Sequence, residues 1–143
     1  LISRADPSVI ERCREFGFQV GTAYQIYDDC LDIAGNEGAT GKTLGTDLRK
    51  GKFTLPVLTF LASASEFERE RCCQLVLEEK IEEMIELLKS GAANGALNES
   101  IAAGNRLIRA AQEKLDGLAP NPYADALFSL GDALCEMFEQ LRV

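Results

Sequence analysis

Residues 24–35, YQIYDDCLDIAG, set three aspartates (Asp28, Asp29 and Asp32) into a stretch that is otherwise strongly apolar. Ionised carboxylates in apolar surroundings are tolerated only when they are paired, hydrogen-bonded or metal-bound. On a helix, Asp28 and Asp32 stand one turn apart on one face, and Asp29 lies three residues before Asp32. That spacing lets neighbouring carboxylates share a hard cation such as Mg²⁺. The alternative for such a D-D-x-x-D string is an exposed acidic helix end. An EF-hand is excluded, because the D-x-[DN]-x-[DN]-G order is absent.

The segment that follows carries the opposite charge. Between residues 42 and 52 stand Lys42, Arg49, Lys50 and Lys52 against the single acid Asp47, within a chain of net charge −8. A glycine-rich basic segment after a carboxylate cluster suits a phosphorylated ligand, with a metal bridging carboxylates to phosphate oxygens and lysines neutralising the remainder. The alternative is a solvated basic turn. GNEGATGKT is not a P-loop: Asn36 occupies the position of the first required glycine, and the preceding segment has a helical rather than a strand pattern.

These residues need a scaffold, and the pattern along the chain is helical throughout. Asp6-Pro7 reads as an N-cap with proline at the first helical position, opening a helix to about Asp32 or Ile33 that Gly35 ends. Gly17, Gly21, Gln25, Asp28 or Asp29, and Asp32 recur at three- and four-residue spacing, so they form one small and polar stripe. Phe16, Phe18, Val20, Tyr24, Ile26, Tyr27 and Leu31 occupy the other sides, which predicts a largely buried central helix whose stripe faces a cavity. Two interior glycines cost about 1 kcal/mol each relative to alanine, which suggests a close approach to the backbone there.

Residues 36–53, with Gly38, Gly41, Gly45 and Gly51, read as an ordered loop, and Thr54 with Pro56 restarts a helix. Ser65 and Glu68 have capping-box spacing, and Ile81, Met84, Ile85 and Leu88 mark another apolar stripe. A further stripe runs through Leu97, Ile101, Ile108, Ala111, Leu115 and Leu118. After an Asn121-Pro122 cap, Tyr123, Leu127, Leu130, Leu134, Met137 and Leu141 form the last. The expectation is an all-α fold of antiparallel helices, with residues 1–143 as one unit.

Composition narrows the function classes. With 143 residues, 46% of them hydrophobic, the chain can bury a real core. Its 23 acidic against 15 basic side chains argue against a nucleic-acid or anionic-membrane surface. Five cysteines without a C-x-x-C pair, and no histidine, leave no zinc-site pattern and suggest free thiols in a reducing cytoplasm. There is no apolar run near the ~20 residues of a membrane span. The opening LISRADPS has no initiator methionine, so the chain is expected to be a piece of a longer protein.

YQIYDDCLDIAG followed by GKTLGTDLRKGKFTLP resembles the second aspartate-rich region and downstream loop of trans-isoprenyl diphosphate synthases, or polyprenyl synthetases. The likeness is specific from Gly21 to Pro56 and extends along the remaining helices, but it covers only the C-terminal half of that family's fold. It implies an all-α isoprenoid synthase architecture and a trans-prenyltransferase that joins isopentenyl diphosphate to an allylic diphosphate through an allylic carbocation, with three Mg²⁺ ions. Carried onto this chain, it makes Asp28 a direct metal ligand, and Asp29 and Asp32 ligands directly or through metal-bound water. Lys42 and Lys52 match diphosphate-gripping lysines, Gln25 the glutamine near the reacting carbons, and Asp47 the aspartate that orders the loop. Arg49 and Lys50 are expected to face solvent. Tyr24, at the edge of the substrate site, stands where the family commonly has phenylalanine. The resemblance also implies a homodimeric whole protein.

Neither a second D-D-x-x-D nor the family's N-terminal Gly-Lys and Arg-Arg elements occur here. The 143-residue chain is therefore expected to lack prenyltransferase activity by itself. The alternative function is a non-catalytic accessory subunit of a heteromeric prenyl diphosphate synthase.

Overall fold

Asp6 accepts the Ser8 backbone N–H at 2.8 Å and the Ser8 hydroxyl at 2.6 Å. This caps α1, Pro7–Ala34, in the predicted place. The computed structural model describes residues 5–35, 43–90 and 94–142. Lys42, Gly38 and Gly41 lie outside the described residues.

Beyond α1 the chain forms α2 (Thr46–Arg49), α3 (Leu55–Ser63), α4 (Glu66–Leu77), α5 (Ile81–Lys89), α6 (Asn94–Leu115) and α7 (Pro122–Glu139). No strand occurs among the described residues, so the all-α expectation holds. One helix was missed: the segment read as loop contains the single turn of α2. Ser65 and Glu68 form the reciprocal capping box that starts α4, and α5 buries Ile81, Met84, Ile85 and Leu88.

α1 packs chiefly along α6, and the two run antiparallel. Glu15 pairs with Lys114 at 2.9 Å near the start of α1, while Ile33 at its end shares a core with Ala96. α6 and α7 are antiparallel too, since Gln112 bonds to the Phe128 carbonyl at 2.9 Å and Asn105 to Glu139 at 3.0 Å. A core between α1, α6 and α7 contains Ala23, Cys30, Leu97, Ile101, Ile108, Leu134 and Phe138. A second core, with Ile33, Leu48, Val57, Phe60, Leu75 and Met84, joins the end of α1 to α2, α3, α4 and α5.

Two burial expectations are corrected. α1 is not buried on most sides: Phe16, Ala23, Cys30 and Ile33 are buried, whereas Phe18 is 73% and Tyr24 56% exposed. Its apolar residues surround the axis, but α6 covers only one side of it. The Gly17 and Gly21 stripe is open as well, and a Cβ at either would meet nothing within 4 Å among the described residues. On α7, Tyr123 is 82% and Leu130 52% exposed, while the buried face is Gly131, Leu134, Cys135 and Phe138. The rest of the expected stripe holds, with Leu134 and Leu141 buried and Leu127 and Met137 packed against the core. Gly104 on α6 adds Phe138 to that face, because its ring occupies the space where a Cβ would stand.

Candidate functional site

Asp32 is the hinge of the site. One of its carboxylate oxygens accepts the Thr46 backbone N–H and the other the Asp47 backbone N–H, each at 3.0 Å, and its carbonyl accepts the Gly45 N–H at 2.9 Å. Gly45 has φ +69°, and a Cβ there would come within 2.7 Å of Ile81 and Ile85, so conformation and space both require glycine. Leu48, buried in the core on the other side of the turn, completes the anchoring of α2 against α1.

That turn orients Asp47 and Lys52. The Asp47 carbonyl accepts the Lys52 N–H at 2.9 Å, and the Asp47 carboxylate pairs with the Lys52 ammonium at 3.2 Å. A cleft of about 400 Å³ opens between the end of α1 and α2, lined by Asp28, Leu31, Asp32, Thr43, Leu44, Thr46, Asp47 and Lys50. Three of the predicted residues (Asp28, Asp32 and Asp47) therefore meet at one concavity, with Lys52 attached through Asp47. Lys50, expected to face solvent, is exposed and also lines the cleft. Arg49 is exposed as expected, and it pairs with Glu82 of α5.

Asp29 has a different environment. It accepts the Gln25 side-chain amide at 3.0 Å, and the backbone N–H of Leu55, the first residue of α3, exerts a further favourable pull on its charge. Burial pushes its carboxyl above the usual carboxylate range, the Gln25 amide and the Leu55 N–H oppose that, and the charges of Asp47 and Asp28 add to it. Gln25 and Tyr24 are exposed one turn or more up α1 and do not line the cleft. Tyr24 thus needs no buried partner for its hydroxyl, and its ring stands 6.1 Å from that of Tyr27.

The donor set is one of hard oxygens, which fits Mg²⁺. Among the described residues no three acidic, cysteine or histidine side chains are grouped closely enough to hold a metal ion by themselves. Mg²⁺ is commonly bound by one or two carboxylates, with waters and substrate phosphates completing the octahedron, so an open arrangement suits it. Asp28, Asp32 and Asp47 are the carboxylates that line the cleft. The cleft's hydroxyls, Thr43 and Thr46, were missed in the sequence, where only their position beside Gly45 could have signalled them.

The fold and site define an all-α protein in which an acidic helix end meets a lysine-bearing turn at one cleft. The polyprenyl synthetase family profile matches residues 1–90. A short chain isoprenyl diphosphate synthase of Methanothermobacter thermautotrophicus is 32% identical over 139 residues, 95% of this chain and 42% of that protein. Heptaprenyl diphosphate synthase component 2 of Geobacillus stearothermophilus is 34% identical over 121 residues, 85% of this chain and 37% of that one. The crystal structure of geranylgeranyl pyrophosphate synthetase from Pyrococcus horikoshii superposes with a TM-score of 0.78 at 30% identity, covering 92% of this chain and 40% of that one.

The chain belongs to the polyprenyl synthetase family. It spans about two-fifths of the length of these relatives.

Proposed function

We propose that the chain is the C-terminal portion of a trans-prenyltransferase that condenses isopentenyl diphosphate with an allylic diphosphate in isoprenoid biosynthesis. The observation that carries this is the meeting of Asp28, Asp32, Asp47 and Lys50 at one cleft in a member of the polyprenyl synthetase family. Asp28 is the direct metal ligand, and Asp29 and Asp32 act directly or through metal-bound water. When bound, Mg²⁺ supplies Lewis-acid stabilisation of the departing diphosphate. Lys52 and Lys42 neutralise that diphosphate, and Asp47 holds Lys52 ready for it by the 3.2 Å ion pair. Gln25, on the same stripe of α1, lies toward the reacting carbons, with Tyr24 beside it. No protein nucleophile is required, because catalysis is electrostatic.

The 143 residues provide one carboxylate wall of such a site and are inactive alone. The whole protein acts as a homodimer in the cytoplasm. No helix among the described residues is long and apolar enough to cross a membrane.

The test is incorporation of labelled isopentenyl diphosphate by the complete polypeptide with Mg²⁺ and a set of allylic diphosphates, with Asp28→Ala as the control. Incorporation that the control abolishes is the expected result. A second function, a non-catalytic accessory subunit of a heteromeric synthase, is favoured by the likeness to a protein named as one component of its enzyme. Mg²⁺-dependent diphosphate binding without elongation of any primer would select it.

A further inference from the structure

α2 begins without a cap of its own. Its N-cap residue is Gly45, which has no side chain to accept the free N–H groups of the first turn. Asp32, more than a dozen residues earlier and on another helix, supplies both missing acceptors, one oxygen to Thr46 and one to Asp47 at 3.0 Å. A carboxylate at a helix start also meets the positive end of the local peptide dipoles. We infer that Asp32 is a positioning residue: its carboxylate holds the α2 turn, and through that turn the Asp47–Lys52 pair, at the edge of the cleft.

The dependence runs through consecutive bonds. Asp32 fixes the Asp47 amide, the Asp47 carbonyl fixes the Lys50 and Lys52 amides at 3.1 and 2.9 Å, and the Asp47 carboxylate holds the Lys52 ammonium. Each Asp32 oxygen keeps a further lone pair, so a metal-bound water remains compatible with this role. The role nevertheless exists without metal, and loss of Asp32 acts first on the loop. The structural part stands independently, while its consequence for ligand binding rests on the diphosphate function proposed above.

The test is backbone hydrogen exchange at Thr46 and Asp47 in the metal-free full chain, comparing the wild type with Asp32→Ala and Asp32→Asn. Exchange at both amides is expected to quicken roughly tenfold or more in Asp32→Ala, as loss of a charged acceptor implies. It is expected to quicken less in Asp32→Asn, whose side-chain oxygen still accepts one bond. Ile108 and Phe138 amides serve as the folding control, and if the alanine variant fails to fold the asparagine variant decides. Unchanged exchange at Thr46 and Asp47 in the folded Asp32 variants would overturn the inference.

Calorimetric titration with inorganic pyrophosphate supplies the second readout. Asp32→Asn is expected to bind more weakly even at saturating Mg²⁺. Full recovery at high Mg²⁺ would make Asp32 a metal ligand only and overturn the positioning role. A wild-type chain that binds no pyrophosphate would count against the proposed function and leave the exchange result standing.

Discussion

Asp29 and Gln25 are bonded one turn apart on α1, the Gln25 amide donating to the Asp29 carboxylate at 3.0 Å, and the N–H of Leu55, the first residue of α3, favours the same charge. Thr54, at the N-cap position of α3, makes no side-chain cap bond, so the Asp29 carboxylate is the group whose charge favours that helix start. Burial raises the Asp29 pKa above 3.8, so the folded state holds its proton more tightly than the unfolded state. Its contribution to stability is therefore complete below pH 3.8 and diminishes as pH rises through the folded-state value. In metal-free buffer at pH 7, Asp29→Asn, which keeps an acceptor without the charge, is expected to match or exceed the wild type. Asp29→Ala is expected to lose about 1–3 kcal/mol. Urea unfolding of both variants checks this, and equal stabilities would remove the role at that helix start.

Phe138 and Gly104 form the tightest fit between α6 and α7. Phe138 is fully buried, meets the Tyr27 ring edge-on at 5.6 Å, and occupies the space a Cβ at residue 104 would need, with its nearest atom 2.2 Å from that point. Gly104→Ala therefore overfills the core and is expected to destabilise by about 1–3 kcal/mol. Phe138→Ala empties the same space and is expected to cost about 3–5 kcal/mol. In the double variant the added methyl meets no ring, so the two losses are expected to sum to more than the measured total. Additive losses in a thermal or urea double-mutant cycle would contradict this packing.

Features that depend on near neighbours in the chain were legible. Asp6-Pro7, Gly35 and the Ser65–Glu68 box fix helix ends by bonds within a few residues, and each end falls where expected. The exposure of Phe18 and Tyr24 was not legible, because an apolar helix surface does not reveal which side a partner will cover. The stripe of α7 was legible through Leu127, Leu134, Met137 and Leu141, but the burial of Phe138 depended on Gly104, on a different helix. At the site, the aspartates were visible as a cluster, but their division of work was not. Asp32 bonds to α2, and Asp29 comes beside the start of α3, only through contacts distant in the chain, and α2 itself carries too few residues to leave a periodic pattern.

The cysteines predict a chemical footprint. Burial pushes the Cys30 thiol up to about 12, with the Asp29 charge adding to it, and burial beside Cys73 pushes Cys72 up to about 11. Thiolate is the reactive form, so these side chains are both shielded and protonated at neutral pH. Cys13 and Cys73 are exposed. Iodoacetamide at pH 8 is expected to label Cys13 and Cys73 in the native chain, and Cys30, Cys72 and Cys135 only after denaturation, as mapped by peptide mass spectrometry. Native labelling of Cys30 would mean that the last turns of α1 open from the core.

Glu68 gives the acid limb of stability a residue-level origin. Its carboxylate accepts the Ser65 backbone N–H at 2.7 Å and the Ser65 hydroxyl at 2.6 Å, while its own N–H donates back to the Ser65 hydroxyl at 3.3 Å. The hydroxyl first, and the backbone N–H second, hold the carboxyl below its ordinary 4.5. With the folded value depressed, the stabilisation is present above pH 4.5 and lost as pH falls through the folded-state value. Ser65→Ala removes the hydroxyl and leaves the backbone bond. The Glu68 carboxyl, followed by NMR titration, is expected to move back toward 4.5 in that variant, with a shallower loss of α4 helicity on acidification. An unchanged titration would show that the hydroxyl is not what holds the proton off.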